Sequence, residues 1–182
     1  MSSGLNTSEE EKRAATLIRY RGLKVKSIER QEEKTLVHLS GKEGKMIMMC
    51  VSGQENVGVS YVRDLMALGE KEETDKLIMV GGGKYTYSAQ KMGVDSGIEM
   101  IPPYLPSFEI FKHRLIPKHE ILSEQEKKEI LEKYHAEPYQ FPWIKTNDPI
   151  VIILGARPGD IVKITRDSKT AGSYISYRYV IK

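Results

Sequence analysis

Three prolines fall within five residues, Pro102, Pro103 and Pro106, in the stretch Ile101-Pro102-Pro103-Tyr104-Leu105-Pro106-Ser107. Each fixes its own φ and removes a backbone donor, so neither a helix nor an interior strand can run through them. An extended connector is expected there, dividing the 182 residues into domains at 1–106 and 107–182. Both lie within the ordinary size of a domain, about 50–250 residues. Hydrophobic residues make up 40% of the chain, enough for a core on each side and too many for a disordered protein.

Residues 1–106 carry 15 basic and 15 acidic side chains, while 107–182 carry 13 and 10, so the formal net charge of +3 belongs to the second domain. Within 155–182, Arg157, Lys163, Arg166, Lys169, Arg178 and Lys182 are set against only Asp160 and Asp167. A lone cysteine, Cys50, excludes an intrachain disulfide framework and a cysteine-based zinc site. The longest apolar runs, Met46–Val51 and Pro149–Leu154, fall far short of the roughly 20 residues that cross a bilayer. The first residues lack the basic and apolar regions of a signal peptide. The expectation is a soluble intracellular protein with no membrane partner.

In the first domain, Ser8 with Glu11, or Thr7 with Glu10, has capping-box spacing ahead of an apolar face of Ala14, Ala15, Leu17 and Ile18, and Gly22 suits the stop. Leu23–Ile28, Thr35–Leu39 and Lys45–Val51 read as strands. A second helix is expected from Ser60 to a stop at Gly69, then a strand over Lys76–Val80, the run Gly81-Gly82-Gly83, a short helix or turn near Ser88–Lys91 and a strand over Ile98–Ile101. This alternation predicts an α/β sandwich. In the second domain a strand is expected over Phe108–Leu115. A capping box at Ser123 and Glu126 starts a helix with Ile130, Leu131 and Tyr134 on one stripe. Asp148-Pro149 before Ile150–Leu154 and Gly155 is a complete short-helix signature. Asp160–Arg166 and Ser173–Ile181 read as a hairpin, with Tyr177 and Tyr179 expected against the sheet's own core. The whole is α/β in its first domain and small α+β with a short mixed sheet in its second.

Candidate chemistry is sparse. His38, His113, His119 and His135 lack metal-ligand spacing, and no metal or cofactor is expected. Gly81-Gly82-Gly83-Lys84 lacks the spacing of a phosphate-binding loop. Its glycines with Lys84, Tyr85, Tyr87 and Lys91 still suit close approach to a nucleic-acid backbone, and a plain surface turn is the competing reading. Glu43-Gly44-Lys45 imitates part of a nuclease metal site, for which Asp64 or Asp75 would have to supply a further carboxylate. A metal-dependent nuclease and a free-standing DNA-binding module are therefore the alternatives to a non-enzymatic role.

Further motifs occur in order along the second domain. They are Ile116-Pro117-Lys118-His119-Glu120-Ile121-Leu122-Ser123, Glu126-Lys127-Lys128, Asp148-Pro149, Leu154-Gly155-Ala156-Arg157-Pro158-Gly159-Asp160-Ile161-Val162-Lys163-Ile164, Arg166-Asp167-Ser168-Lys169-Thr170-Ala171-Gly172 and Tyr177-Arg178. Together they closely resemble the family of the fifth subunit shared by the nuclear RNA polymerases, whose archaeal counterpart is usually this module alone. Asp167 stands where that family has proline and Lys169 where it has glutamate, so the loop charge differs. The first domain resembles the eukaryotic jaw through Val57-Gly58-Val59, Leu77-Ile78-Met79-Val80 and Thr86-Tyr87-Ser88-Ala89, with Tyr87 in place of a proline.

The resemblance implies a non-catalytic component of DNA-directed RNA polymerase. Its first domain would be a restriction-endonuclease-like jaw without an active site, directed at downstream duplex DNA through Lys84, Thr86, Tyr87, Ser88, Ala89 and Lys91. The second would be an assembly module packed on the largest subunit, near the smaller sixth subunit. Its interface candidates are Pro117, His119, Arg157, Pro158, Gly159, Arg166, Ser168, Thr170, Ala171, Gly172, Tyr177 and Arg178. The compartment would be the nucleus in a eukaryote, or the cytoplasm or virion for an archaeal or viral chain.

Overall fold

The computed structural model describes residue 5, residues 7–168 and residues 172–182. The chain divides into two compact units, Met1–Phe108 and Glu109–Lys182, each considered by itself. Both mix helices with sheet, as the residue patterns require.

In the first unit, helix α1 (Glu9–Tyr20) is capped by Ser8, whose hydroxyl accepts from Glu11 N. The Glu11 carboxylate reaches back to Thr7 N (3.0 Å), one residue before the cap. Gly22, with φ +64°, ends the helix as the sequence predicts. Strands β1 (Lys24–Arg30), β2 (Lys34–Gly41) and β3 (Gly44–Val51) form an antiparallel meander. The two-residue strand β4 (Asn56–Val57) follows, then helix α2 (Val59–Lys71), β5 (Lys76–Gly81), β6 (Lys84–Tyr85), helix α3 (Tyr87–Asp95) and β7 (Glu99–Ile101). The main sheet runs β1-β2-β3-β5-β7, and its last two pairings are parallel. Met46–Val51 is buried throughout because β3 is central: α1 packs on it, and Ile47, Met49 and Val51 join Val62 and Leu65 of α2.

Gly69 is not the stop of α2. It lies inside the helix, where an added Cβ would come within 2.8 Å of Leu77 Cδ1, so its role is close packing on β5. The helix ends instead at Lys71 with Glu72 as its cap, and the left-handed residue is Glu73 at φ +51°, after which Thr74 N donates to Gly69 O. The proline stretch is not extended either. Leu105 N bonds back to Pro102 O, the Leu105 side chain is buried, and Leu105 O accepts from Arg13 Nε at 2.7 Å. Proline excludes regular structure but pre-sets a turn, and Arg13 supplies the missing donor.

In the second unit, Phe108–Leu115 does not form a strand. Its centre is a 3₁₀ turn, Ile110–Lys112, with local bonds from Lys112 N to Glu109 O and His113 N to Ile110 O. Phe108 and Leu115 are exposed, so the apolar spacing there has no sheet to serve. Then come β8 (Lys118–Ile121), helix α4 (Glu124–Tyr134), a second 3₁₀ turn (Pro138–Gln140), β9 (Trp143–Lys145), helix α5 (Pro149–Leu154), β10 (Ile161–Ser168) and β11 (Gly172–Ile181). Their sheet runs β8-β10-β11-β9, with only β11–β9 parallel.

Register divides this sheet into two faces. Val162, Ile164, Val180 and Ile144 lie on one, where they pack with Val151, Leu154 and Ala156. Tyr177, Tyr179, Ile175 and Trp143 lie on the other. The core therefore takes Val180 rather than the two tyrosines. The capping box of α4 forms in full, yet no residue of that helix is buried, so Ile130, Leu131 and Tyr134 are not a core stripe.

An ion network closes the first unit. Glu99 takes both Arg21 guanidinium nitrogens (3.0 and 2.5 Å) and Lys76 Nζ (2.9 Å), and Lys76 also reaches Glu43 (3.0 Å). Burial pushes the Glu99 carboxyl up, but the Arg21 hydrogen bonds and charge, with Lys76, more than offset it and hold it below the ordinary value. A folded pKa below the unfolded one adds stability that is present above the unfolded value and lost as pH falls through the folded one. The contribution of Glu99 to thermal stability should therefore be level near neutral pH and fall in acid below about pH 4.5. Glu99→Gln should remove part of that acid dependence and cost about 1–3 kcal/mol at pH 7, measurable by denaturant melts across pH.

Candidate functional site

Two surfaces stand out. The first surrounds the start of α3. Strand β6 pairs in parallel with β4, and Lys84 N and Thr86 N donate to Glu55 O and Val57 O. Thr86 is the helix cap, its hydroxyl accepting from Ala89 N at 3.2 Å. Tyr87 is 81% exposed, and Lys84, Ser88 and Lys91 are also exposed. Tyr87 and Lys91, four apart on α3, share a face. With no acid in its first turn, α3 presents Tyr87, Ser88 and Lys91, and Lys84 of β6 precedes the positive end of its dipole. Ala89 is a correction: its methyl is buried in the core and its N–H is taken by the cap, so it offers nothing to the surface.

The glycine run is shaped by packing. A Cβ on Gly83 would lie 2.2 Å from both Gln54 O and Glu55 O, which only glycine avoids. Tyr85 turns inward. Its hydroxyl accepts from Gly81 N (2.8 Å) and donates to Ile101 O (2.7 Å), with Met79 O at 3.1 Å as a second acceptor. Burial drives its pKa upward, so the phenol keeps its proton. Tyr85 is thus structural, not a surface contact.

The nuclease-like carboxylates are each engaged by an internal partner. Glu43 holds Lys76, Asp75 accepts from Lys45 N at 2.7 Å, and Asp64 holds Lys34 at 2.7 Å. Among the described residues no three His, Cys, Asp or Glu gather closely enough for a metal ion. Buried Glu11 is likewise engaged, accepting from Arg30 Nε (3.2 Å) and Thr35 Oγ1 (3.1 Å).

The second surface covers the open face of the second unit's sheet. Tyr134 of α4 and Phe141 meet Tyr177 edge-on, with centroids 6.0 and 6.2 Å away, and meet each other at 6.0 Å. Beside them, Trp143 is 62% exposed and its indole N–H donates to the carbonyl of Tyr139, itself 63% exposed. Ile175, 42% exposed, continues the same sheet face past Tyr177. Of this belt only Tyr177 is among the interface residues expected from sequence. The signal for the rest is four aromatics between 134 and 143, interrupted by Pro138 and Pro142, a segment too broken to bury them.

The other interface candidates lie apart from the belt. Arg157 and Pro158 are exposed and Gly159 and Pro117 half-buried. Arg166 and Arg178 lie on the sheet face of Val162 and Ile164. Gly172 opens β11 opposite Ser168, and Thr170 and Ala171 lie outside the described residues. His119 is a correction: it is buried, its Nδ1–H donating to Pro117 O (2.8 Å) and its ring edge-on to Phe111. Burial lowers its pKa, with the Pro117 bond acting the other way, and the imidazole serves the interior rather than a partner.

Residues 108–180 match the family model for RNA polymerase Rpb5, C-terminal domain. The chain is similar to DNA-directed RNA polymerase subunit Rpo5 of Pyrococcus abyssi, 59% identical over 75 residues that make up 41% of this chain and 92% of that one. The Rpo5 subunit of Thermococcus kodakarensis is 53% identical over 75 residues, again 41% and 92%. That of Nitrosopumilus maritimus is 50% identical over 70 residues, 38% and 84%.

Gly83→Ala tests the packing account of the glycine run. It should destabilise the protein by about 1–3 kcal/mol or more through backbone overpacking, read as a lower denaturant midpoint. A midpoint equal to wild type would return the run to the status of an open loop.

Proposed function

The chain belongs to the Rpb5 family of DNA-directed RNA polymerase subunits, and from that membership we propose that it is a non-catalytic subunit whose second unit anchors it to the largest subunit, near the smaller sixth one. The observation that carries this reading is the aromatic belt of Tyr134, Tyr139, Trp143 and Tyr177. Tyrosine and tryptophan enrich the cores of protein interfaces, and three of these side chains are more than half exposed on a unit of modest size. An anchoring partner would withdraw them from water. The separate engagement of Glu43, Asp64 and Asp75 favours a role without nuclease chemistry.

The first unit serves as a jaw toward downstream duplex DNA, through Lys84, Tyr87, Ser88 and Lys91 at the start of α3. Such contacts reach phosphates and carry no sequence preference. Because residues 1–106 balance 15 basic against 15 acidic side chains, the isolated protein binds duplex weakly, and holding depends on assembly.

A tagged chain should recover the large polymerase subunits from a gentle lysate, and Trp143→Ala with Tyr139→Ala should lower that recovery about tenfold or more while the melting temperature changes little. Recovery equal to wild type would remove the belt as the anchor. Lys84→Ala with Lys91→Ala should lower the salt concentration at which elongation complexes release DNA, without altering sequence preference. An unchanged salt midpoint would remove the α3 surface from the DNA path.

A further inference from the structure

Strand β11 is longer than anything beside its outer edge. Along its inner edge it pairs with β10 from Ser168↔Gly172 to Ile161↔Tyr179. Along its outer edge β9 covers only Tyr179–Ile181. The bonds Val180 N to Asp160 O and Gly159 N to Val180 O turn Val180 toward the β10 side, and Tyr179 N points the other way, to Pro142 O at 2.9 Å. Alternation then aims the N–H and C=O groups of Ser173, Ile175 and Tyr177 at the outer edge. There they have no backbone partner among the described residues.

The reason the edge opens where it does is chemical. In the parallel ladder that sets Tyr179 beside Trp143, the next bond would run to the Tyr177 carbonyl from the N–H of residue 142. That residue is proline and has no N–H. The chain leaves the sheet there, having come from the 3₁₀ turn at Pro138–Gln140. Exposed strand edges of this kind are usually blunted by charge, proline or a covering loop. Here Ser173–Tyr177 carries neither charge nor proline, and among the described residues no strand pairs with its outer edge, while Tyr174 and Ile175 are exposed.

We propose that the outer edge of β11, Ser173 to Tyr177, receives an extended strand from another polymerase subunit, which adds to this sheet beyond β9. The proposal rests on the assembly reading above and specifies its geometry. Only an extended backbone supplies donors and acceptors at the spacing that Ser173, Ile175 and Tyr177 present. The side chains on either face define the guest. On one face Ile175 and Tyr177, flanked by Phe141 and Trp143, ask for apolar residues at alternate positions. On the other, Arg166 opposite Tyr174, and Arg178 opposite Val162, make no ion pair among the described residues and ask for acidic ones. The guest is therefore a strand alternating apolar and acidic side chains.

Residue-resolved hydrogen exchange tests this on the full chain, free and in polymerase purified through a tag on it. In the free chain the amides of Tyr174, Ser176 and Arg178 should be protected by β10, and those of Ser173, Ile175 and Tyr177 should exchange fast. In the assembled enzyme the latter three should slow about tenfold or more. Unchanged exchange at these three within recovered polymerase would overturn the strand proposal and leave the anchoring reading standing. Failure to recover polymerase at all would overturn both. Dimerisation of the free chain with the same three amides protected would overturn it in favour of pairing between two copies. Ile175→Pro removes an outward N–H while sparing the β10 ladder, so it should lower recovery about tenfold, and recovery equal to wild type would count against the proposal. If that variant unfolds, the exchange comparison on the unaltered chain decides.

Discussion

The first unit depends on how the parallel edge of its sheet is closed off. Strand β7 ends at Ile101 beside Val80, and the next two residues are prolines that cannot donate to β5. The Tyr85 hydroxyl fills the gap, accepting from Gly81 N and donating to Ile101 O, so one side chain relays the ladder that the main chain cannot continue. Gly81 O is taken from the other direction by Arg13 Nη1 (3.3 Å), whose Nε also holds Leu105 O. Two side chains thus satisfy the end of β5 and fasten the proline turn in the same act. Buried backbone groups left without partners would each cost about 1–3 kcal/mol, so loss of either side chain would loosen several elements together.

The position of the α3 surface follows from that closure. With Tyr85 fixed inward, Lys84 on its N-terminal side faces out, and Thr86 on the other is set to cap the helix. Tyr87 and Lys91 are then presented on the outer face, while Ala89 is carried into the core. Gly83 lets the chain pass within reach of the Gln54 and Glu55 carbonyls and brings β6 beside β4. A glycine run that invites comparison with a phosphate loop is, in this setting, what lets two short strands approach. The exposed lysines and tyrosine owe their orientation to it.

Features encoded over a few residues were legible in the sequence. The Ser8 cap and Gly22 stop, the Ser123–Glu126 box and the Asp148-Pro149…Gly155 helix all form, because their donors and acceptors lie within a turn or two. Errors arise where distant partners decide. Apolar spacing over Phe108–Leu115 resembles a strand, but the segment closes on itself in a 3₁₀ turn through Lys112 N to Glu109 O and His113 N to Ile110 O. Gly69 resembles a stop, yet the approach of Leu77 explains it. Tyr134 and Tyr177 have the spacing of core residues, and only the register of β10 with β11 shows that the core lies on the Val180 face. The surface residues at 84, 87, 88 and 91 were readable because they are charged, polar or adjacent to a cap. The belt around Trp143 was not, since an aromatic side chain in a sequence looks the same whether it fills a core or awaits a partner.

That ambiguity bears on what the second unit is. Its sheet has one face filled by Val151, Val162, Ile164 and Val180, while α4, lying over the other, contributes no buried residue. α4 is nonetheless secured by its capping box and by Lys127 Nζ on Gly159 O (2.8 Å), so the helix is anchored by polar contacts at its start and by aromatic edges at its end. A monomeric unit gains little by holding large rings on a half-covered face, because their apolar area remains in water. The family match lies over 108–180, so the incompletely covered face belongs to the part of the chain that its relatives share. A surface apolar on its open face and basic along the hairpin is what a subunit needs if its fold is completed by assembly rather than by its own core.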